Sequence, residues 1–275
     1  MHRPPSPPSG VAFELLGRAF GIATPTPVIA QEVARVFPAA TRPLAGADEV
    51  WTLREAGDAW LVEPPGLPVE RFATLSHALD AIELLVASRL LALQAAIPQL
   101  HAAGAVPRGE AVLAIGQSGA GKSSIAFHWS RSGLPVLGDD AVLLAERARA
   151  LAFPRLFSVD RARLAGVGAT ADPALQWGPP DDEVRYDPAS GGGWAPPAPI
   201  GLVAFIERRP QGPPVAESLT KSRALSLLAG ALLPTGCGPD RCFDLLLGVA
   251  ERARAVRLTF SDSGEAAREL AALTA

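Results

Sequence analysis

The chain has 275 residues, 48% of them hydrophobic, which is material for one large domain or two modest ones. A formal net charge of -3 and a pI of about 5.9 argue against a broad nucleic-acid surface. The two cysteines, Cys237 and Cys242, suit neither a zinc ribbon nor a redox C-x-x-C pair, and read as reduced thiols of a cytoplasmic protein.

Residues 1–10, MHRPPSPPSG, lack the apolar stretch of a secretory signal and read as a disordered, proline-rich start. Val11 to Ala23 predicts a strand pair around Gly17 or Gly21, and Ile29 to Phe37 a helix. Val50 to Arg54 and Ala59 to Val62 flank Glu55-Ala56-Gly57-Asp58, a hairpin signal. Trp51 and Trp60 in that hairpin read as cross-strand packing or as a ligand shelf. Ser76 is placed to cap a helix over 77–96, with Leu79, Ile82, Val86, Leu90 and Leu93 on its buried face. The longest apolar stretch, Ile82 to Ile97, holds Glu83 and Arg89 and ends at Pro98, too short and too charged to span a bilayer.

Residues 101–106 and 111–115 predict a hairpin turning at Arg108-Gly109. Further strands are expected at 134–137, 141–144, 201–206 and 255–260, and helices at 221–233, 240–252 and 263–273. Between Phe153 and Pro199 the abundance of Pro, Gly and Asp, including Gly191-Gly192-Gly193, predicts loops and a mobile segment near the site.

The most informative stretch is AVLAIGQSGAGKSSIAFHW, residues 111–129. Gly116 to Ser123 fits G-x-x-x-x-G-K-[ST] at every fixed position, after an apolar run and before a helical pattern. Gly116, Gly119 and Gly121 would let the backbone take positive φ and approach a ligand closely. Amides of Gly116, Gln117, Ser118, Gly119, Ala120, Gly121, Lys122, Ser123 and Ser124 would then face phosphate oxygens. Lys122 would add a full charge at the β and γ phosphates, and the Ser123 hydroxyl a ligand for Mg²⁺.

Asp139 and Asp140 follow the short strand Leu134 to Leu137. Adjacent acids at a strand end point opposite ways, so one can face a metal and the other an acceptor hydroxyl. His101 lies on the strand partnering the loop strand; a lone histidine is more often structural than catalytic. Asp160, Asp172, Asp181, Asp182, Glu183 and Glu207 are further candidate acids, and Arg155, Arg161 and Arg163 could reach a phosphate, although each loop charge alone reads more readily as solvated. Arg208 and Arg209 read equally well as surface charge.

LHAAGAV, GQSGAGKSS and RSGLPVLGDDAVLL together resemble the catalytic domain of HPr kinase/phosphorylase and its relatives, including the HPr-kinase-like proteins of peptide-modification clusters such as lasso-peptide kinases. The strong match covers residues 100–145. The resemblance implies ATP and Mg²⁺ as cofactors and phosphorylation of a serine. It makes Asp139 the general base, sets Asp140 with Ser123 at the metal, and puts His101 near the phosphates. The family's E-[IV]-R-G segment is absent, so the resemblance does not extend to the reverse, phosphate-driven reaction, to HPr itself or to the hexamer.

The expected fold is α/β: a P-loop, HPr kinase/PEP carboxykinase-like mixed sheet flanked by helices over residues 99–275, after a small α+β region over 11–98. The expected function is an ATP-dependent serine kinase acting on a peptide or small protein. A small-molecule kinase on this scaffold and a non-catalytic ATP-binding regulatory protein of a peptide-biosynthesis cluster are the alternatives. Neither nucleic acid nor membrane is an expected partner; a homo-oligomer is compatible with the sequence.

Overall fold

A computed structural model describes residues 9–37, 43–94, 96–160, 175–176, 183–234 and 236–274. Contacts divide the chain into two compact units, the first ending at Leu93 and the second beginning at Gln94.

In the first unit, strands β1 (Ser9–Leu15) and β2 (Arg18–Thr24) form a hairpin. It turns at Leu16 and Gly17, both at positive φ. Gly21 lies inside β2, where a Cβ would sit 2.5 Å from Leu44 Cδ1, so Gly17 is the turn and Gly21 a packing glycine. Helix α1 (Pro27–Arg35) starts two residues earlier than expected because Thr26 caps it, its hydroxyl accepting from the Ile29 amide at 3.3 Å. Phe37 lies beyond the helix and stacks on Phe13. The helix crosses back so that β3 (Glu49–Ala56) runs parallel to β2. Strands β4 (Ala59–Glu63) and β5 (Glu70–Phe72) complete the sheet antiparallel. Trp60 lies opposite Glu55 and is half-buried, while Trp51 is a core residue; they are not cross-strand partners and form no shelf. Helix α2 spans Leu75–Leu93. Thr74, not Ser76, receives the His77 amide at its start. A two-pronged Arg89–Glu49 ion pair ties α2 to β3.

The second unit is a mixed α/β layer structure. Short β6 (Gln99–Leu100) precedes β7 (Ala102–Ala105), which pairs antiparallel with β8 (Ala111–Ile115) across a turn containing Gly109 at φ 84. Helix α3 (Lys122–Arg131) follows, then β9 (Val136–Gly138), β10 (Val142–Ala145) and β11 (Arg149–Leu151). Next come β12 (Phe157–Asp160), β13 (Leu175–Gln176) and β14 (Glu183–Tyr186), a small separate sheet in the order β12-β14-β13. The long β15 (Ala198–Arg208), β16 (Val215–Ser218), α4 (Lys221–Gly230), α5 (Pro239–Arg252), β17 (Arg254–Phe260) and α6 (Ser263–Ala272) close the unit.

Strand β8 is central. It lies between β7 and β15, and β17 runs parallel to β15 on the far side. Alternate residues of β8 feed two cores. Val112 and Ala114 pack with Ile125, Trp129, Phe157 and Tyr186; Leu113 and Ile115 pack with Phe205, Leu228, Leu246 and Val249. Helices therefore cover both faces, which is why β8 reads as an unbroken apolar run.

Within the 153–199 stretch the described residues that meet the end of α3 are closely packed. The Ser130 hydroxyl and the Tyr186 phenol lie 3.0 Å apart in the core. The Gly192 amide donates to the Ser130 carbonyl, and a Cβ on Gly192 would lie 2.0 Å from the Leu134 carbonyl oxygen. These glycines are needed for close approach to the end of α3. The expected mobile segment otherwise falls on 161–174 and 177–182, outside the described residues. Among the described residues no helix is long and apolar enough to cross a membrane.

Candidate phosphate-binding site

The glycine loop leaves the C-terminal end of β8 and enters α3. Gly119 and Gly121 take φ of 79 and 106, values L side chains rarely adopt. Gly116 does not; it is needed for space, because a Cβ there would stand 2.8 Å from Ile206 Cγ1 and 2.9 Å from the Ile206 carbonyl oxygen. At the start of α3 no side chain caps the amides. The N-terminal end of α3, and with it the positive end of the helix dipole, thus faces the cleft.

Lys122 is buried, with its ammonium donating to the carbonyls of Gly116 at 2.8 Å and Gln117 at 3.2 Å. Burial lowers its pKa, and the charges of Asp140 and Asp139 oppose that shift.

Asp139 and Asp140 follow β9 and diverge. Asp139 is 7% exposed, with the Ser123 hydroxyl beside it. Burial pushes its carboxyl up to about 6, against the pull of Arg155 and Ser123, while the Asp140 charge adds to the rise. Asp140 is 54% exposed, and its Oδ1 lies 3.2 Å from His101 Nδ1. Register explains how His101 gets there: Ala102 is opposite Ile115, so the preceding residue returns to the start of the glycine loop. Its amide also donates to the Ala231 carbonyl at 2.8 Å. Ser123 thus has Asp139 beside it, and Asp140 lines the same cleft.

These groups line a cleft of about 380 Å³, with Ser118, Gly119, Gly121, Ser124, Arg155 and Ser158 completing its polar wall. A larger chamber of about 930 Å³ adjoins the loop and shares His101, Ser118 and Gly119 with the cleft. Gly116, Gln117 and Ala120 line it, with Phe205, Ile206, Leu227, Leu232 and Leu233 as apolar walls and Arg257 beside them.

No family model matches this chain, and no curated protein matches it.

The remaining candidates fall apart spatially. Glu207 and Arg208 line the larger chamber, not the cleft of the aspartates. Arg208 donates to the Ser261 carbonyl and Arg209 to that of Pro213. Asp160 and Glu183 are register partners in β12 and β14. Arg161, Arg163, Asp172, Asp181 and Asp182 lie outside the described residues. Of the three arginines that could reach a phosphate, Arg155 lines the cleft. Ser158, Phe205, Leu227 and Arg257 belong to no motif; only the assembled sheet brings them to the loop.

Proposed function

We propose that this chain is an ATP- and Mg²⁺-dependent kinase related to HPr serine kinase, built on a P-loop core, that transfers the γ-phosphoryl group to a serine hydroxyl of a peptide or small protein. The observation that carries this reading is the divergence of Asp139 and Asp140 beside an uncapped glycine loop. A site that only binds nucleotide has no need of a second carboxylate at its mouth.

Loop amides from Gly116 to Ser124 and the Lys122 ammonium hold the triphosphate, and the adjoining chamber has the size and apolar walls for a nucleoside. The Ser123 hydroxyl and the two carboxylates are hard oxygen donors, the kind Mg²⁺ takes alongside phosphate oxygens. Bound there, Mg²⁺ would offset the charge developing on the phosphates. The contacts favour a division of labour reversed from that of the resemblance. Asp139, inward and on Ser123, belongs to the metal side. Asp140, exposed and oriented by His101, can be reached by an acceptor side chain and takes its proton.

The test is transfer itself. The purified chain is incubated with γ-labelled ATP, Mg²⁺ and extract of its own source. Label in phosphoserine of a peptide or protein, lost with Lys122→Ala, is the expected result. Label appearing only in a small metabolite, or in nothing, overturns it.

A further inference from the structure

We propose that Arg155 is a catalytic residue of this site, its guanidinium binding the oxygens of the phosphoryl group in transit as a transition-state cation supplied within the chain. The inference rests on the nucleotide reading above and adds a residue to it. Arg155 lies between β11 and β12, on a segment separate from the glycine loop, and lines the cleft with Lys122, Ser123 and both aspartates. The backbone presenting it is fixed. The Phe153 amide donates to the Leu137 carbonyl at 2.7 Å, one residue before the turn that leads into the aspartates. Phe153 and Leu156 on either side of Arg155 are each 2% exposed. A long side chain on an anchored backbone thus lines the cleft.

The two cations divide the cleft. Lys122 is committed to the carbonyls at the start of the loop, a point charge at the nucleotide's own phosphates. Arg155 approaches from the β12 side, where its charge already reaches Asp139. During transfer the bond between Pγ and the β,γ-bridging oxygen breaks as the bond from the acceptor oxygen forms. ADP leaves with the electron pair, and the acceptor proton passes to a carboxylate. Charge on the three equatorial oxygens is what a planar, bidentate guanidinium matches and an ammonium matches less well.

The experiment needs no acceptor. Affinity for Mg-ADP is measured by displacement of a fluorescent ADP, with and without fluoroaluminate, which completes a planar mimic of the phosphoryl in flight. In the wild type fluoroaluminate is expected to tighten ADP by roughly 100-fold or more, the low end for transition-state mimics. Arg155→Gln is expected to lose that tightening while binding Mg-ADP alone as the wild type does, and Arg155→Lys to keep part of it. Thermal melts confirm that each variant is folded, and Arg155→Lys carries the comparison if Arg155→Gln is not. Full tightening in the folded variants, equal loss of Mg-ADP affinity with and without the mimic, or no tightening in a wild type that binds Mg-ADP would each overturn the proposal. A wild type that binds no Mg-ADP would instead overturn the nucleotide reading, and this proposal with it.

Discussion

His101 Nδ1 stands 3.2 Å from Asp140 Oδ1 at the mouth of the cleft, while the preceding residue, Asp139, turns inward to the Ser123 hydroxyl. One residue along the bend that follows β9 separates a half-exposed carboxylate from a buried one. Asp140→Asn is therefore expected to lower kcat for the labelled acceptor by roughly 100-fold or more, the scale of general-base loss. Mg-ATP affinity should change little. His101→Ala should cause a smaller kcat loss, since it orients the base. Asp139→Asn should instead weaken Mg-ATP binding. Steady-state kinetics with a nucleotide titration on each variant checks this; Asp139→Asn with unchanged Mg-ATP affinity and kcat abolished would restore it as the base.

Burial of Asp139 also makes a statement about stability. Its carboxyl is raised from 3.8 to about 6 in the folded chain, so the folded state holds the proton more tightly than the unfolded one. The associated stability is fully present below about pH 4 and is lost as pH rises to about 6. By linkage the loss is about 3 kcal/mol at neutral pH. Asp139→Asn should stabilise the ligand-free protein at pH 7 by roughly 1–3 kcal/mol and flatten that slope. Urea unfolding between pH 4 and pH 7 measures both effects.

Close packing at Gly192 makes a sharper demand than anything in the site. An added Cβ meets the Leu134 carbonyl carbon at 2.2 Å, backbone that cannot swing aside. Gly192→Ala should cost about 3 kcal/mol or more, at or above the usual range for overpacking. Gly193 has nothing within 4 Å of its would-be Cβ but holds φ 74. Gly193→Ala should therefore cost less, about 1 kcal/mol, the scale of left-handed strain for an L residue. Denaturant midpoints of the two variants rank them; equal costs would contradict the packing argument.

Trp129 Nε1 donates to the Ala267 carbonyl at 2.9 Å in the core, joining α3 to α6. Trp129→Phe removes that bond and part of a buried ring and should cost roughly 1–3 kcal/mol. Chemical denaturation measures it, and a neutral result would mean the indole bond adds nothing to the packing of α3 on α6.

The glycine loop and its flanking strand and helix were legible because their signal is local: residue types at fixed spacing carry both conformation and charge. The placement of His101 followed from the β7–β8 hairpin, itself a local signal. What stayed hidden was nonlocal. Alternation along the chain says that Asp139 and Asp140 diverge but not which faces Ser123; that depends on how β9 is pinned between β7 and the Phe153 amide. Strand β16 is mostly exposed and carries little apolar pattern, since among the described residues it is an edge strand paired only with β17. Gly191 and Gly192 suggest a loose loop in the sequence, yet here glycine serves close packing against α3, and only the neighbouring backbone distinguishes the two uses. The capping of α2 by Thr74 rather than Ser76 is a two-residue shift between equally suitable hydroxyls.

The account stands most directly on Lys122 and the loop around it. Calorimetric titration of Mg-ATP into the wild type and into Lys122→Ala, with folding of both confirmed, tests that claim. Saturable one-to-one binding in the wild type, weakened at least about 10-fold in the variant by loss of a charge-assisted contact, is the expected result. Equal affinity in the two proteins, or no binding in either, would contradict it.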